Sequence, residues 1–135
     1  MHALVTDTHP LLYYFCHGQK KLSKKAKKAF DSAVMQQASV IYIPSVVFWE
    51  ISMLLEKNRL KLAAPFEEWV KAIGNHQQLI ALPFDEESAI HCHRFSSHSD
   101  PFDRAIVAAA LRLDLPLITN DSLLHQKQPC KLFWD

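Results

Sequence analysis

Glycine is almost missing from this chain: Gly18 and Gly74 are the only two among 135 residues. Loops that cradle phosphates need glycine so that backbone N–H groups can approach closely. Neither a P-loop nor a dinucleotide-binding fingerprint can therefore be built here. Cysteine is also scarce. Cys16, Cys92 and Cys130 are odd in number, widely separated and never arranged as CxxC, which argues against a disulfide framework and for a reducing compartment. No apolar run approaches the roughly 20 residues that span a bilayer. The N-terminus lacks a basic region, and Asp7 interrupts its apolar run, so no signal peptide is expected. No single sign of charge dominates either, the formal net charge being +1. Composition thus neither announces nor excludes a nucleic-acid partner, and the placement of charges decides. The expectation is a soluble cytoplasmic protein without a membrane partner.

What is present is enough apolar material for one core, 49% of the residues, in a chain of single-domain size, residues 1–135. There is no internal repeat and no obvious linker. Short apolar runs alternate with helical patterns. Ala3–Thr6 reads as a strand. Leu22, Ala26, Ala29, Phe30 and Ala33 recur at helical spacing. Val40–Ile43 is a strand stopped by Pro44, and Ser45 starts a helix to about Lys57. A helix from Pro65 to Gly74, a strand from Leu79 to Leu82, and a helix from Asp85 to about Phe95 follow. Asp100 with Pro101 opens a helix to about Leu113, and strands follow at Leu115–Thr119 and Lys131–Trp134. This alternation predicts an α/β fold with a mainly parallel sheet, whose sites lie outside the carboxyl ends of the strands.

Four carboxylates stand in unusual places. Asp7 directly follows the first strand, and Asp121 follows Leu-Ile-Thr-Asn in the same way. Either also suits a turn or a helix N-cap, and both roles are compatible with holding a cation. Glu50 lies roughly 140° from the polar face formed by Ser45, Ser52 and Glu56 at about 100° per residue. It continues the apolar row Val47, Ile51, Leu54, where a carboxylate is costly unless paired or bound to metal. A structural ion pair with a buried Arg, or a capped helix end, is the alternative. Asp103 falls in the first turn of the helix that Asp100 caps and Pro101 begins. The helix dipole there welcomes an anion, so capping alone could explain it. The apolar run Ala105–Leu111 makes this helix a buried one. Carboxylate-rich clusters suit Mg²⁺ or Mn²⁺, hard ions that assist phosphodiester hydrolysis.

The same stretches resemble the motifs of PIN-domain nucleases. Thr6-Asp7-Thr-His-Pro-Leu-Leu-Tyr-Tyr looks like the first, Val47-Phe-Trp-Glu50-Ile the second, Asp100-Pro-Phe-Asp-Arg-Ala-Ile-Val-Ala the third and Leu117-Ile-Thr-Asn-Asp121 the fourth. Their order and spacing fit across nearly the whole chain, most closely to the VapC-type toxins of bacterial toxin–antitoxin pairs. Between Leu60 and Phe95 only the helical rhythm matches. The resemblance implies a PIN-like three-layer α/β/α sandwich and a Mg²⁺- or Mn²⁺-dependent endoribonuclease leaving a 5′-phosphate and a 3′-hydroxyl. It implies a homodimer, RNA as substrate and a cognate antitoxin. It maps the catalytic, metal-holding site to Asp7, Glu50, Asp103 and Asp121, with Thr119 and Asn120 as supporting contacts. Asp100 joins them as the cap beside Asp103.

Other features have plainer readings. The run from Lys20 to Lys28 could meet RNA phosphates, yet its spacing fits the solvated face of an amphipathic helix. His91, His93 and His98 lack the spacing of known zinc sites. Trp49, Trp69 and Trp134 read as core or interface residues, with no basic patch interleaved for base stacking. The Ser45–Lys57 helix carries Phe48, Trp49, Met53 and Leu55 beyond the row shared with Glu50, so a dimer mate or the antitoxin is expected to cover some of them. Two other functions compete with a nuclease. One is a catalytically vestigial PIN-like module that binds RNA or protein. The other is a small-molecule phosphatase, disfavoured because Asp7 is followed by Thr8 and His9 instead of a DxD context.

Overall fold

Five short strands line up in the order β3-β2-β1-β4-β5, and every neighbouring pair is parallel. In the computed structural model, which describes residues 2–135, these are β1 (Ala3–Thr6), β2 (Val40–Pro44), β3 (Leu79–Leu82), β4 (Leu117–Ile118) and β5 (Leu132–Phe133). Helices α1 (Thr8–Phe15) and α2 (Lys24–Val34) join β1 to β2, with a short 3₁₀ turn at Gln19–Lys21 between them. Next come α3 (Ser45–Glu56) and α4 (Phe66–Gly74), then α5 (Glu86–Arg94) and α6 (Pro101–Leu113), and finally α7 (Ser122–Lys127). The chain steps outward from β1 to β2 to β3, then crosses back to β4 and β5. Because such crossovers are right-handed as a rule, running them in opposite directions from β1 places helices on both faces, giving a three-layer α/β/α sandwich. None of the helices in the described residues is long and apolar enough to cross a membrane.

A sheet covered on both faces needs strands apolar on both sides. Leu4, Val5, Ile41, Ile43, Leu117 and Ile118 are accordingly all buried. Ala26, Ala29, Phe30 and Ala33 of α2 cover part of it, as do Val47 and Ile51 of α3 and Ile106, Val107 and Ala110 of α6. Strand order reverses between β1 and β4, where Val5 pairs with Leu117 and Thr6 with Ile118. Ligands in open α/β sheets bind at such a switch point, beyond the carboxyl ends. Asp7 and Thr119 are the residues that leave those two ends.

The elements differ from the expected ones in instructive ways. The expected elements do not include α1 and α7, although Asp7 and Asp121 suit helix N-caps as well as turns. Pro10 sits in the first turn of α1, where its missing N–H is harmless. Asp7 and Asp121 cap the two helices through Thr8 N at 2.8 Å and Leu124 N at 2.9 Å. β4 is shorter than Leu115–Thr119. Leu115 N instead bonds back to Ala110 O at 3.0 Å, closing α6 around a left-handed Asp114 at φ 51°. β5 is likewise trimmed to Leu132–Phe133.

Candidate active site

Asp7 is held from two sides. β1 ends at Thr6, and the chain turns at once into α1, leaving the carboxylate 7% exposed at the sheet edge. Its Oδ1 accepts from Thr8 N at 2.8 Å and its Oδ2 from the Thr119 hydroxyl at 2.7 Å. Burial pushes its pKa up, and these two hydrogen bonds oppose the rise. Thr119 also ties in the fourth acid, since its Oγ1 accepts from Asp121 N at 3.1 Å. His125 Nε2 holds the Thr119 carbonyl at 2.7 Å.

Glu50 is half-buried on α3. Its partner is the fully buried Thr8, whose hydroxyl donates to Oε1 at 2.5 Å. The ion pair with a buried Arg is thus not what this structure builds. Burial raises the Glu50 pKa first, the Thr8 bond opposes it, and the charges of Asp7 and Asp100 add to the rise.

Asp103 lies in the first turn of α6. Asp100 caps that turn, accepting from Phe102 N at 2.8 Å and Asp103 N at 3.1 Å. Asp103 Oδ2 stands 2.9 Å from Nε2 of the buried His98. Its pKa is pushed up to about 6, first by burial, against the His98 bond, and further by the negative charges of Asp7, Asp100 and Asp121. Arg104 does not neutralise the cluster. Its guanidinium turns to the Cys92 carbonyl, at 2.8 and 3.2 Å.

Asp7, Glu50, Asp103 and Asp121 line one cavity of about 290 Å³, together with Asp100, Asn120, His9, Pro10 and Tyr13. Six of the seven sequence-selected site residues therefore face one space, and Thr119 stands behind Asp7. The capping residues of α1, α6 and α7 all lie at this cavity, so three positive helix ends partly offset the acids. The donor set is all oxygen, which fits a hard divalent cation. Among the described residues, however, no three His, Cys, Asp or Glu side chains stand close enough together to grip an ion unaided. It is the oxygen donor set that fits Mg²⁺ or Mn²⁺, since Mg²⁺ keeps several waters and takes only one or two carboxylates directly. Asp7 and Asp103 are each fixed by a side-chain partner, Thr119 and His98, and Glu50 and Asp121 line the same cavity.

Thr8, His9, Tyr13 and His98 escaped the sequence reading. His9 and Tyr13 share a face of α1, and recognising that helix would have found them. His98 gave a signal only as part of an unconvincing histidine cluster. The six lysines between Lys20 and Lys28 are exposed, and none lines the acid cavity. On α3, Phe48 and Leu55 pack against the protein's own core, so only the rest of that apolar set is left for a partner to cover. Trp49 does not: it is 63% exposed and meets Phe102 edge-on at 5.4 Å. With Val46, Met53, Phe84, Pro101 and Phe102 it lines an apolar groove of about 530 Å³. Glu50 and Asp100 line the acid cavity, and each is adjacent in sequence to a groove residue.

Comparison with known proteins agrees with this layout. A model of the PIN domain matches residues 4–128. Ribonuclease VapC22 of Mycobacterium tuberculosis is 24% identical over 125 residues, covering 93% of this chain and 92% of that protein. The fold is similar to one chain of the Rickettsia felis VapBC2 structure bound to a promoter DNA fragment, with a TM-score of 0.67, 15% identity, and 98% and 99% of the two chains covered. It is also similar to a chain of a toxin–antitoxin complex from Klebsiella pneumoniae, with a TM-score of 0.57, 16% identity, and 88% and 87% covered.

Proposed function

Because this chain belongs to the PIN-domain family, we propose that it is a Mg²⁺- or Mn²⁺-dependent endoribonuclease, acting in the cytoplasm as the toxin of a toxin–antitoxin pair. The observation that carries this reading is the convergence of Asp7, Glu50, Asp103 and Asp121, from separate elements, on one cavity. A ribonuclease among the similar proteins and a toxin–antitoxin complex among the similar folds support it. When bound, the ion supplies a more acidic water and positive charge beside the phosphodiester. Asp7, fixed by Thr8 and Thr119, and Asp103, fixed by His98, would hold the ion. Glu50 is tied to Thr8 through Oε1 and keeps Oε2 to orient the attacking water. Asp121, capping α7, completes the charge. Asn120, exposed at the rim, is placed to donate to a phosphate oxygen.

Purified protein should cut RNA with Mn²⁺ or Mg²⁺, leave small phosphate esters untouched, and stop on addition of EDTA. Undiminished cleavage in EDTA would sink the metal mechanism. The acids' failure to form a ready-made cage favours one rival, a binding module that holds RNA without cutting. Tight RNA binding with no cleavage at millimolar Mn²⁺ would establish that rival.

The proposed partners are a second copy of the chain and a cognate antitoxin. The Trp49 groove would accept an apolar stripe of the antitoxin in the helix-in-groove mode. A basic side chain beside that stripe, best an Arg, would then reach the acids.

A further inference from the structure

His98 is 1% exposed and makes two contacts with charged groups. Its ring stacks on Phe95, with centroids 5.1 Å apart and planes 16° apart. Nε2 stands 2.9 Å from Asp103 Oδ2, and Nδ1 stands 3.3 Å from Lys127 Nζ. The Lys127 ammonium also lies over the Phe95 ring, 6.0 Å from its centroid. A lysine ammonium has only donors. Nδ1 must therefore offer its lone pair, and a neutral imidazole then carries its single proton on Nε2. That is the nitrogen facing the carboxylate. The opposite tautomer would set the Nε2 lone pair against a carboxylate oxygen and push Asp103 away.

We propose that Lys127 fixes His98 as the Nε2–H tautomer and that His98, so fixed, orients Asp103 toward the acid cavity. His98 does not line the cavity, so it is a positioning residue. α7 then serves the site at both ends: Asp121 caps its start, and Lys127, its last residue, sets the histidine. The orienting role rests on the nuclease reading for its purpose, whereas the tautomer does not.

The test is ¹⁵N NMR of the histidine ring nitrogens in the metal-free full-length chain at neutral pH, with His98 assigned by the signal lost in His98→Gln. The expected pattern is a protonated Nε2 and a bare Nδ1. In Lys127→Met, where only Asp103 still favours Nε2–H, this bias should weaken. A second readout is Mn²⁺ affinity, measured by the electron paramagnetic resonance of free Mn²⁺. Removing the donor in His98→Leu should weaken binding on the order of 10-fold or more, the usual scale for contacts behind a metal ligand. His98→Gln, whose amide can donate from nearly the same place, should stay within about threefold on that scale. Protonation on Nδ1, or on both nitrogens, in the parent protein would overturn the proposal. So would an unchanged pattern in Lys127→Met, or equal Mn²⁺ affinities in His98→Leu and His98→Gln. The ring-nitrogen pattern decides the tautomer even in a protein that binds no Mn²⁺, which separates failure of this relay from failure of the metal reading.

Discussion

At the residue scale the site depends on short side chains that hold the acids in place. Thr8 shows this most clearly. Its backbone N–H donates to Asp7 and its hydroxyl to Glu50, so one fully buried residue steadies two carboxylates. Thr8→Val keeps the shape and deletes only the hydroxyl. Glu50 then loses the bond that opposes its rise in pKa, and the half-buried charge is left less compensated. The expected loss of stability at neutral pH is about 1–3 kcal/mol, read by denaturant melts; unchanged melts would mean that water already satisfies Glu50. Asp7→Asn should cost cleavage more than the roughly 10–100-fold typical of contacts behind a ligand, with folding retained. Asp100→Asn should keep most activity, because Asn also caps helices. Equal losses at the two positions, in initial-rate assays, would show that their roles are misassigned. The sequence singles out the acids by their places after apolar strands, on an apolar helix row and at the start of a buried helix, although turns and caps also suit three of them. Thr8, Thr119 and His98 are ordinary residues anywhere. Only the fold shows what Thr8 and His98 touch, and Thr119 was reached through motif resemblance alone.

Among the elements, the hidden helices explain why fold and site were unequally readable. α2, α4, α5 and α6 announce themselves by periodicity and caps. α1 and α7 were masked by the same acids that build the cavity, since an aspartate that begins a helix reads like one that makes a turn. α3 carries a different lesson. Its pattern suggested a surplus of apolar residues, yet Phe48 and Leu55 find places against the core and leave Trp49 as the exposed one. Helical spacing fixes which residues share a face, but not how wide a face the sheet and neighbouring helices cover. Two substitutions two residues apart, on different faces of the helix, should therefore behave oppositely. Ile51→Ala, at a fully buried position, should cost about 2–5 kcal/mol of stability. Trp49→Ala should change stability by about 0.5 kcal/mol or less while weakening an antitoxin complex by about 2 kcal/mol or more, the scale of an interface anchor. Calorimetric titration with the co-expressed neighbour checks this. An unaltered affinity would move the partner off this groove.

For the molecule as a whole, the cavity couples stability to both pH and metal. Asp7, Glu50 and Asp103 all have raised pKa values, with burial as the largest cause. A raised folded-state pKa means that the native protein binds the proton more tightly than the unfolded chain does. The associated stability is complete below the ordinary carboxyl range and is lost as pH climbs through the raised value. For Asp103 that window runs from 3.8 to about 6. Asp31 and Asp85 shift the other way. Lys27 holds Asp31 down, while the Ser88 N–H leads in lowering Asp85, so their contributions fade only as pH falls below the usual carboxyl range. Comparing the parent with Asp103→Asn isolates the cavity. Between pH 4 and 6 the metal-free parent should lose stability relative to the variant, on the order of 2–3 kcal/mol for a shift of this size. A bound cation reverses the penalty, because it prefers the charged carboxylates that the empty cavity disfavours. Mn²⁺ at about 100 times its dissociation constant should then add about 2.7 kcal/mol at pH 7 and almost nothing at pH 4, where the protonated acids no longer bind it. Thermal melts of parent and variant at both pH values, with and without Mn²⁺, give the complete set. Equal Mn²⁺ stabilisation at pH 4 and pH 7, or a variant that tracks the parent throughout, would mean that the four acids do not act as one metal-dependent unit.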